Sequence, residues 1–171
     1  MIKKIKKQVL SFSYAIRGIF SAFVTESHMR FHLVAAFYVM FFAHKFYDLS
    51  RGQISTLALA IGSVISAELV NTAIERLCDY ITKEYSKDIK FIKDVAAGAV
   101  LVAAIASVIV AFDILYKPET LRYIWLCILT YPSFAIKLSI SAIVCLLFVV
   151  IDPKYYINPI KKLFSKKNKG N

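Results

Sequence analysis

A chain of 171 residues that is 58% apolar, with a mean hydropathy of +0.61, carries more apolar side chain than a soluble domain of its size usually does. The composition therefore argues against an ordinary soluble fold and suffices for one domain in a bilayer. The net charge of +11 points to anionic headgroups rather than nucleic acid, because the basic residues flank apolar runs instead of covering a polar domain.

The first element is an amphipathic helix. Ile2, Ile5, Val9, Phe12, Ile16, Phe20 and Phe23 recur at steps of three and four, while Lys3, Lys4, Lys6, Lys7 and Arg17 fall between them. Such a helix lies along a membrane surface, and the interleaved charges do not suit a cleavable signal peptide. A positive flank that only orients the first span would need no helix.

Arg30 and Lys45 enclose 14 uncharged residues, a marginal length for a first span unless its polar flanks are included. Gly52 to Ala67 is a second uncharged run. It continues into Glu68-Leu-Val-Asn71-Thr-Ala-Ile-Glu75-Arg-Leu-Cys-Asp79. At about 100° per residue, Glu68, Asn71, Glu75 and Asp79 share an arc of roughly 80° on one helix face. Carboxylates at membrane depth are costly unless paired, hydrated or bound to cations, so this stripe is the leading functional feature.

Thr82 to Asp94 is a polar connection carrying Lys83, Lys87, Lys90 and Lys93, and Val95 to Phe112 is the third span. Lys93 and Asp94 are expected at that span's start, where a lysine and a helix amino terminus together would favour phosphate; a flanking Lys beside a helix-start Asp is the plainer alternative. Ala96, Ala97, Gly98 and Ala99 are read as small residues that let helices approach closely. Beyond Pro118, Pro132 and Lys137 divide the apolar stretches. The simplest reading is one tilted or kinked span ending near Ile151, preceded by an interfacial stretch with Trp125 and Tyr131.

Four spans with both termini inside put 17 basic residues on the inner side against four outside, as the positive-inside rule requires; three spans would place the six tail lysines outside. The expected fold is thus an all-α integral membrane protein, with an amphipathic surface helix, a three-span core over residues 1–116, and an extension over 117–171 that adds a fourth span and a basic cytoplasmic tail.

This topology gathers Glu75, Asp79, the 82–94 connection and Glu26 at one cytoplasmic boundary, where a water-soluble phosphate donor and a lipid acceptor would meet. Glu68 and Glu75 are about 10.5 Å apart along the helix axis, too far to share one ion comfortably. Glu75 needs an oxygen ligand from elsewhere, and Glu26 is the one topology supplies; hard oxygens beside phosphate suit magnesium. Glu68 lies deeper and is suited to proton handling. The competing possibility is that these acids only pair with Arg76, Lys83 or Lys93 at a solvated helix end. His28, His32 and His44 form no convincing metal set. Cys78, Cys127 and Cys145 are odd in number without CxxC spacing and read as packing residues.

Taken together, Glu68 through Asp79, Lys93-Asp94-Val-Ala-Ala-Gly98-Ala-Val-Leu101 and Glu26-Ser-His-Met-Arg30-Phe-His32-Leu resemble the motifs of the prokaryotic diacylglycerol kinase family, over roughly Lys7 to Tyr116. The resemblance implies ATP-dependent phosphorylation of a lipid hydroxyl by a homotrimer in a bacterial cell membrane. It implies Glu68 as proton acceptor and Glu26 and Glu75 as magnesium ligands beside ATP. By the same resemblance Lys7, Tyr14, Glu84, Tyr85, Ser86, Lys93 and Asp94 are nucleotide contacts, and Arg30, Asn71 and Asp79 support the site. The Arg-Phe-His form of the first motif is similar to the undecaprenol kinase branch; an acid at the His32 position would point to diacylglycerol. A transporter subunit or scaffold using Glu68 and Glu75 for ion passage is the rival from another class.

Overall fold

The computed structural model describes residues 2–151, with side-chain surroundings from residue 8 onward. The side chain of Lys7 and the basic tail therefore lie outside the described residues. Among those residues the chain forms six helices and no strand: α1 (Ile2–Thr25), α2 (Ser27–Phe46), α3 (Arg51–Ile81), α4 (Lys87–Leu115), α5 (Pro118–Thr130) and α6 (Pro132–Val150).

Length and composition suit α3, α4 and α6 for crossing a membrane. The expected first span, α2, is a 20-residue helix but is less apolar than these three, because Arg30, Lys45 and three histidines interrupt it. At ~1.5 Å per residue α3 is ~46 Å long and α4 ~43 Å, against a hydrocarbon core of ~30 Å. Both consequently protrude by several turns, which carries Glu75, Asp79 and the lysines at the start of α4 out of the apolar zone while leaving Glu68 near its edge.

Helices α3 and α4 form an antiparallel hairpin against which α2 packs, and α6 lies antiparallel on α2. One end of the bundle is closed by Ala43, Leu57 and Ile114, with Val39, Met40 and Val110 around them. There the Tyr47 hydroxyl donates to the Leu115 carbonyl at 2.7 Å, and Ser50 and Gln53 form a reciprocal cap that starts α3. In the middle, Ser107 Oγ donates to the Ala60 carbonyl at 2.9 Å, tying α4 to α3. The large apolar side chains of α4 and α6 otherwise point outward, as lipid-facing helices require.

Three expectations are corrected. Pro132 does not kink a helix; it occupies the first turn of α6, where its missing N–H costs nothing, so α5 and α6 are separate helices. The connection between the spans is short, because α4 begins at Lys87 rather than near Lys93: Ser86 caps it and only residues 82–86 are non-helical. Finally, close α3–α4 approach is carried by Ala96 and Val100, which are buried, whereas a Cβ at Gly98 would meet nothing within 4 Å. On α1 the predicted apolar stripe is exposed at Val9, Phe12, Ile16 and Phe20, and Phe23 packs at a tilt against Phe148 of α6 with centroids 5.4 Å apart.

Candidate functional site

The unbroken α3 converts the spacing of the acidic stripe into a gradient of burial. Glu68 is 3% exposed, Asn71 is buried beside Thr72, Glu75 is half-buried and Asp79 is exposed. One turn apart on α3, Asn71 Nδ2 donates to Glu75 Oε1 at 3.1 Å, which fixes that carboxylate. The Oδ1 atom of Asn71 is buried without a partner. An acceptor in that state costs about 1–3 kcal/mol unless a bound donor or cation satisfies it.

Glu26 comes from the elbow between α1 and α2. It is the residue before α2, with extended backbone, yet its side chain makes no capping bond. Instead it accepts from Thr25 Oγ1 at 2.8 Å and faces the Arg76 guanidinium of α3 at 3.4 Å. The same guanidinium donates to Thr25 Oγ1. The carboxylate is thereby turned from its own helix toward α3, the helix that carries Glu68 and Glu75.

Arg30 holds the elbow. Buried to 2% exposure, it donates to the Val24 carbonyl at the end of α1 at 3.1 Å and to the Val149 carbonyl at the end of α6 at 3.0 Å. Its guanidinium also lies 6.0 Å from the Phe148 ring centroid.

The remaining sequence-predicted residues are distributed less tightly. Lys93 is engaged by Asp79 at 2.5 Å, a pairing weighed from the sequence, and Asp94 by Lys90 at 2.6 Å, one not expected from the sequence. Because α4 starts two turns earlier, the helix amino terminus expected beside Lys93 is instead at Ser86, whose hydroxyl accepts from the Ile89 N–H. Tyr14, Glu84 and Tyr85 are exposed. Among the described residues no hydrogen bond joins them to Glu26, Glu68 or Glu75. Thr25 was not singled out from the sequence, and its signal is weak, a threonine directly before a helix-preceding acid.

An apolar cavity of about 270 Å³ opens between α2, α3 and α4, lined by His32, Val39, Ala60, Val64, Ala104 and Ser107 among others. Val64 lies one helical turn from Glu68, so the cavity begins about one turn from that carboxylate and extends along α3 to Leu57 at the closed end of the bundle. His32 stands in its wall. Among the described residues no group of three or more His, Cys, Asp or Glu side chains could hold a metal.

The fold and site together define an all-helical membrane protein with an acidic helix face one turn from an apolar groove. The sequence profile of prokaryotic diacylglycerol kinase matches residues 13–115, and the chain belongs to that family. It is similar to a diacylglycerol kinase of Synechocystis sp., with 39% identity over 64% of this chain and 63% of the relative. It is likewise similar to an undecaprenol kinase of Bacillus subtilis, with 38% identity over 64% of this chain and 87% of that protein. The matched region thus spans less than two thirds of the cyanobacterial relative but most of the Bacillus one.

Proposed function

We propose that this chain transfers the γ-phosphoryl group of ATP to the hydroxyl of a membrane lipid, with undecaprenol as acceptor. The observation that carries the reading is the burial of Glu68 on the α3 face it shares with Asn71 and Glu75, one turn from the apolar groove. A lipid whose chain occupies the groove would bring its hydroxyl to Glu68, while a nucleotide approaches from the polar side where α3 and α4 protrude. The undecaprenol choice is supported by the 87% coverage of the Bacillus relative and by the room the groove offers an isoprenoid chain. Diacylglycerol is the second reading, favoured by the 39% identity to the cyanobacterial relative.

In this mechanism Glu68 accepts the proton of the lipid hydroxyl as the oxygen attacks, a role that needs a carboxylate held out of bulk water. Asn71 orients Glu75, and Arg76 with Thr25 orients Glu26. Two carboxylates and the unpaired Asn71 Oδ1 fit magnesium, which takes one or two protein carboxylates and fills its shell with water and phosphate oxygens. Bound there by Glu26 and Glu75, the ion would neutralise charge on the phosphates. Lys93 serves the nucleotide as a cation, with Asp79 setting its position. Tyr14, Glu84, Tyr85, Ser86 and Asp94 belong to the nucleotide contacts, in a homotrimer whose protomers share sites at the cytoplasmic face of the cell membrane.

The test is a competition between acceptors. Full-length protein in mixed micelles receives γ-labelled ATP, magnesium, and equimolar undecaprenol and diacylglycerol. Label in undecaprenyl phosphate is the expected result; label mainly in phosphatidic acid selects the second reading, and no label in either rejects a lipid kinase.

A further inference from the structure

The end of the bundle opposite Glu68 holds a second cavity, of about 410 Å³, in the groove between α2 and α6. Its wall carries two cations, Lys45 from the last turn of α2 and Lys137 from the second turn of α6, together with the hydroxyls of Ser133, Tyr38 and Ser141. Tyr38 and Ser141 hydrogen-bond each other at 2.9 Å across the groove, so the two helices are pinned at this point. The Lys45 ammonium lies 5.8 Å from the Phe46 ring centroid and 5.9 Å from that of Phe134, which holds it over the cavity's aromatic rim. Among the described residues no acid lines the cavity and neither lysine has a salt-bridge partner.

Depth makes this arrangement informative. With 19 residues α6 is ~28 Å long, barely the ~30 Å of the hydrocarbon core, so Pro132 sits at the membrane boundary and Lys137 about 7.5 Å below it. A lone lysine there would extend its stem to reach the headgroup zone. Two lysines from different helices converging on one hydroxyl-lined cavity instead form a complementary receptor for an anion. The rest of the wall is apolar, with Phe37, Phe41 and Leu138 at membrane depth, so an anion attached to acyl chains suits the cavity better than a free one.

We propose that Lys45 and Lys137, with Ser133, bind the phosphate headgroup of an anionic phospholipid in the leaflet opposite the one served by Glu68. The site depends on α6, which lies beyond the residues matched by the family profile, and it is independent of the acceptor assignment above. Each lysine offers a point charge and the hydroxyls offer directional donors, which together favour a phosphodiester of net negative charge over that of phosphatidylcholine, whose choline cation the two lysines repel.

The experiment is native mass spectrometry of the detergent-solubilised full-length protein, given equal amounts of phosphatidylglycerol and phosphatidylcholine. Wild type is expected to retain phosphatidylglycerol preferentially, K45Q/K137Q to lose that preference by about tenfold, and K45R/K137R to keep it. The control K117Q/R122Q, which removes two cations from the α4–α5 connection and α5, is expected to change nothing. Unaltered preference in K45Q/K137Q, an equal loss in K117Q/R122Q, or displacement of the lipid by millimolar inorganic phosphate would each overturn the proposal. Where the double variant fails to fold, K137Q alone carries the same test, with an expected loss of about threefold.

Discussion

The Arg30 guanidinium donates to the main-chain carbonyl of Val149, 119 residues away, while its second amino group donates to Val24. One buried side chain thus joins the last turn of α1, the first turn of α2 and the last turn of α6, four residues from Glu26. Hydrogen bonds from a charged donor contribute about 1.5–3 kcal/mol each, and the carbonyls they leave behind would be partly buried. Arg30→Gln is therefore expected to destabilise the folded protein by about 3 kcal/mol in denaturant titrations in micelles. Phe148→Ala, which removes only the ring beneath the guanidinium and its packing against Phe23, should cost about 1–2 kcal/mol. If the elbow places Glu26, both variants also raise the magnesium concentration needed for half-maximal phosphate transfer, while the KM for lipid stays unchanged. A loss of stability with an unaltered magnesium requirement would reduce Arg30 to a purely structural brace.

Glu68→Gln preserves shape and burial but cannot accept a proton. Phosphate transfer to the lipid should fall by about 10²–10⁴-fold, the usual contribution of a positioned base, with ATP affinity unchanged. Binding of a fluorescent ATP analogue measured beside the transfer rate separates the two quantities. Comparable losses in both would place Glu68 in nucleotide binding instead.

The stripe Glu68, Asn71, Glu75 and Asp79 was readable from the sequence because helical periodicity is rigid: once α3 is unbroken, the residues share a face. That Glu26 lies against α3, through Arg76, followed from topology alone, since a short elbow and a hairpin leave few places for that carboxylate. What the spacing could not reveal was pairing. Lys93 and Asp79 lie 14 residues apart on different helices, and whether they meet depends on where α4 begins, which Ser86 decides through a capping bond. Pro132 shows the same ambiguity, because a proline kinks a helix or starts one according to the hydrogen bonds available before it. The clamp of Arg30 on Val149 was hidden altogether, as a main-chain acceptor leaves no side-chain signature.

Lys93 is held by Asp79, so the two residues should be separable by kinetics. Lys93→Gln is expected to raise the KM for ATP about tenfold with little change in thermal midpoint, since the pair is solvent-exposed and weakly stabilising. Asp79→Asn should alter the same constant less, because it releases the cation without removing it. Equal thermal destabilisation in both variants, with unchanged KM for ATP, would return the pair to a structural role.

The apolar groove between α2, α3 and α4 offers the sharpest separation of lipid from nucleotide. Ala36 and Ala104 line it from opposite helices, and each has room for a larger side chain that would project into the space an isoprenoid chain would fill. Ala36→Leu and Ala104→Leu should raise the KM for undecaprenol severalfold and leave the KM for ATP unchanged, because the added atoms lie away from Glu26 and Glu75. Overpacking would also cost stability, typically about 1–3 kcal/mol where no space exists, so a small thermal shift is itself a sign that the groove is open. A parallel rise for both substrates would mean that the helices had moved apart and disturbed the acidic cluster. An effect on neither would mean that the acceptor chain runs along the outside of the bundle, leaving Glu68 to meet the hydroxyl from the lipid face of α3.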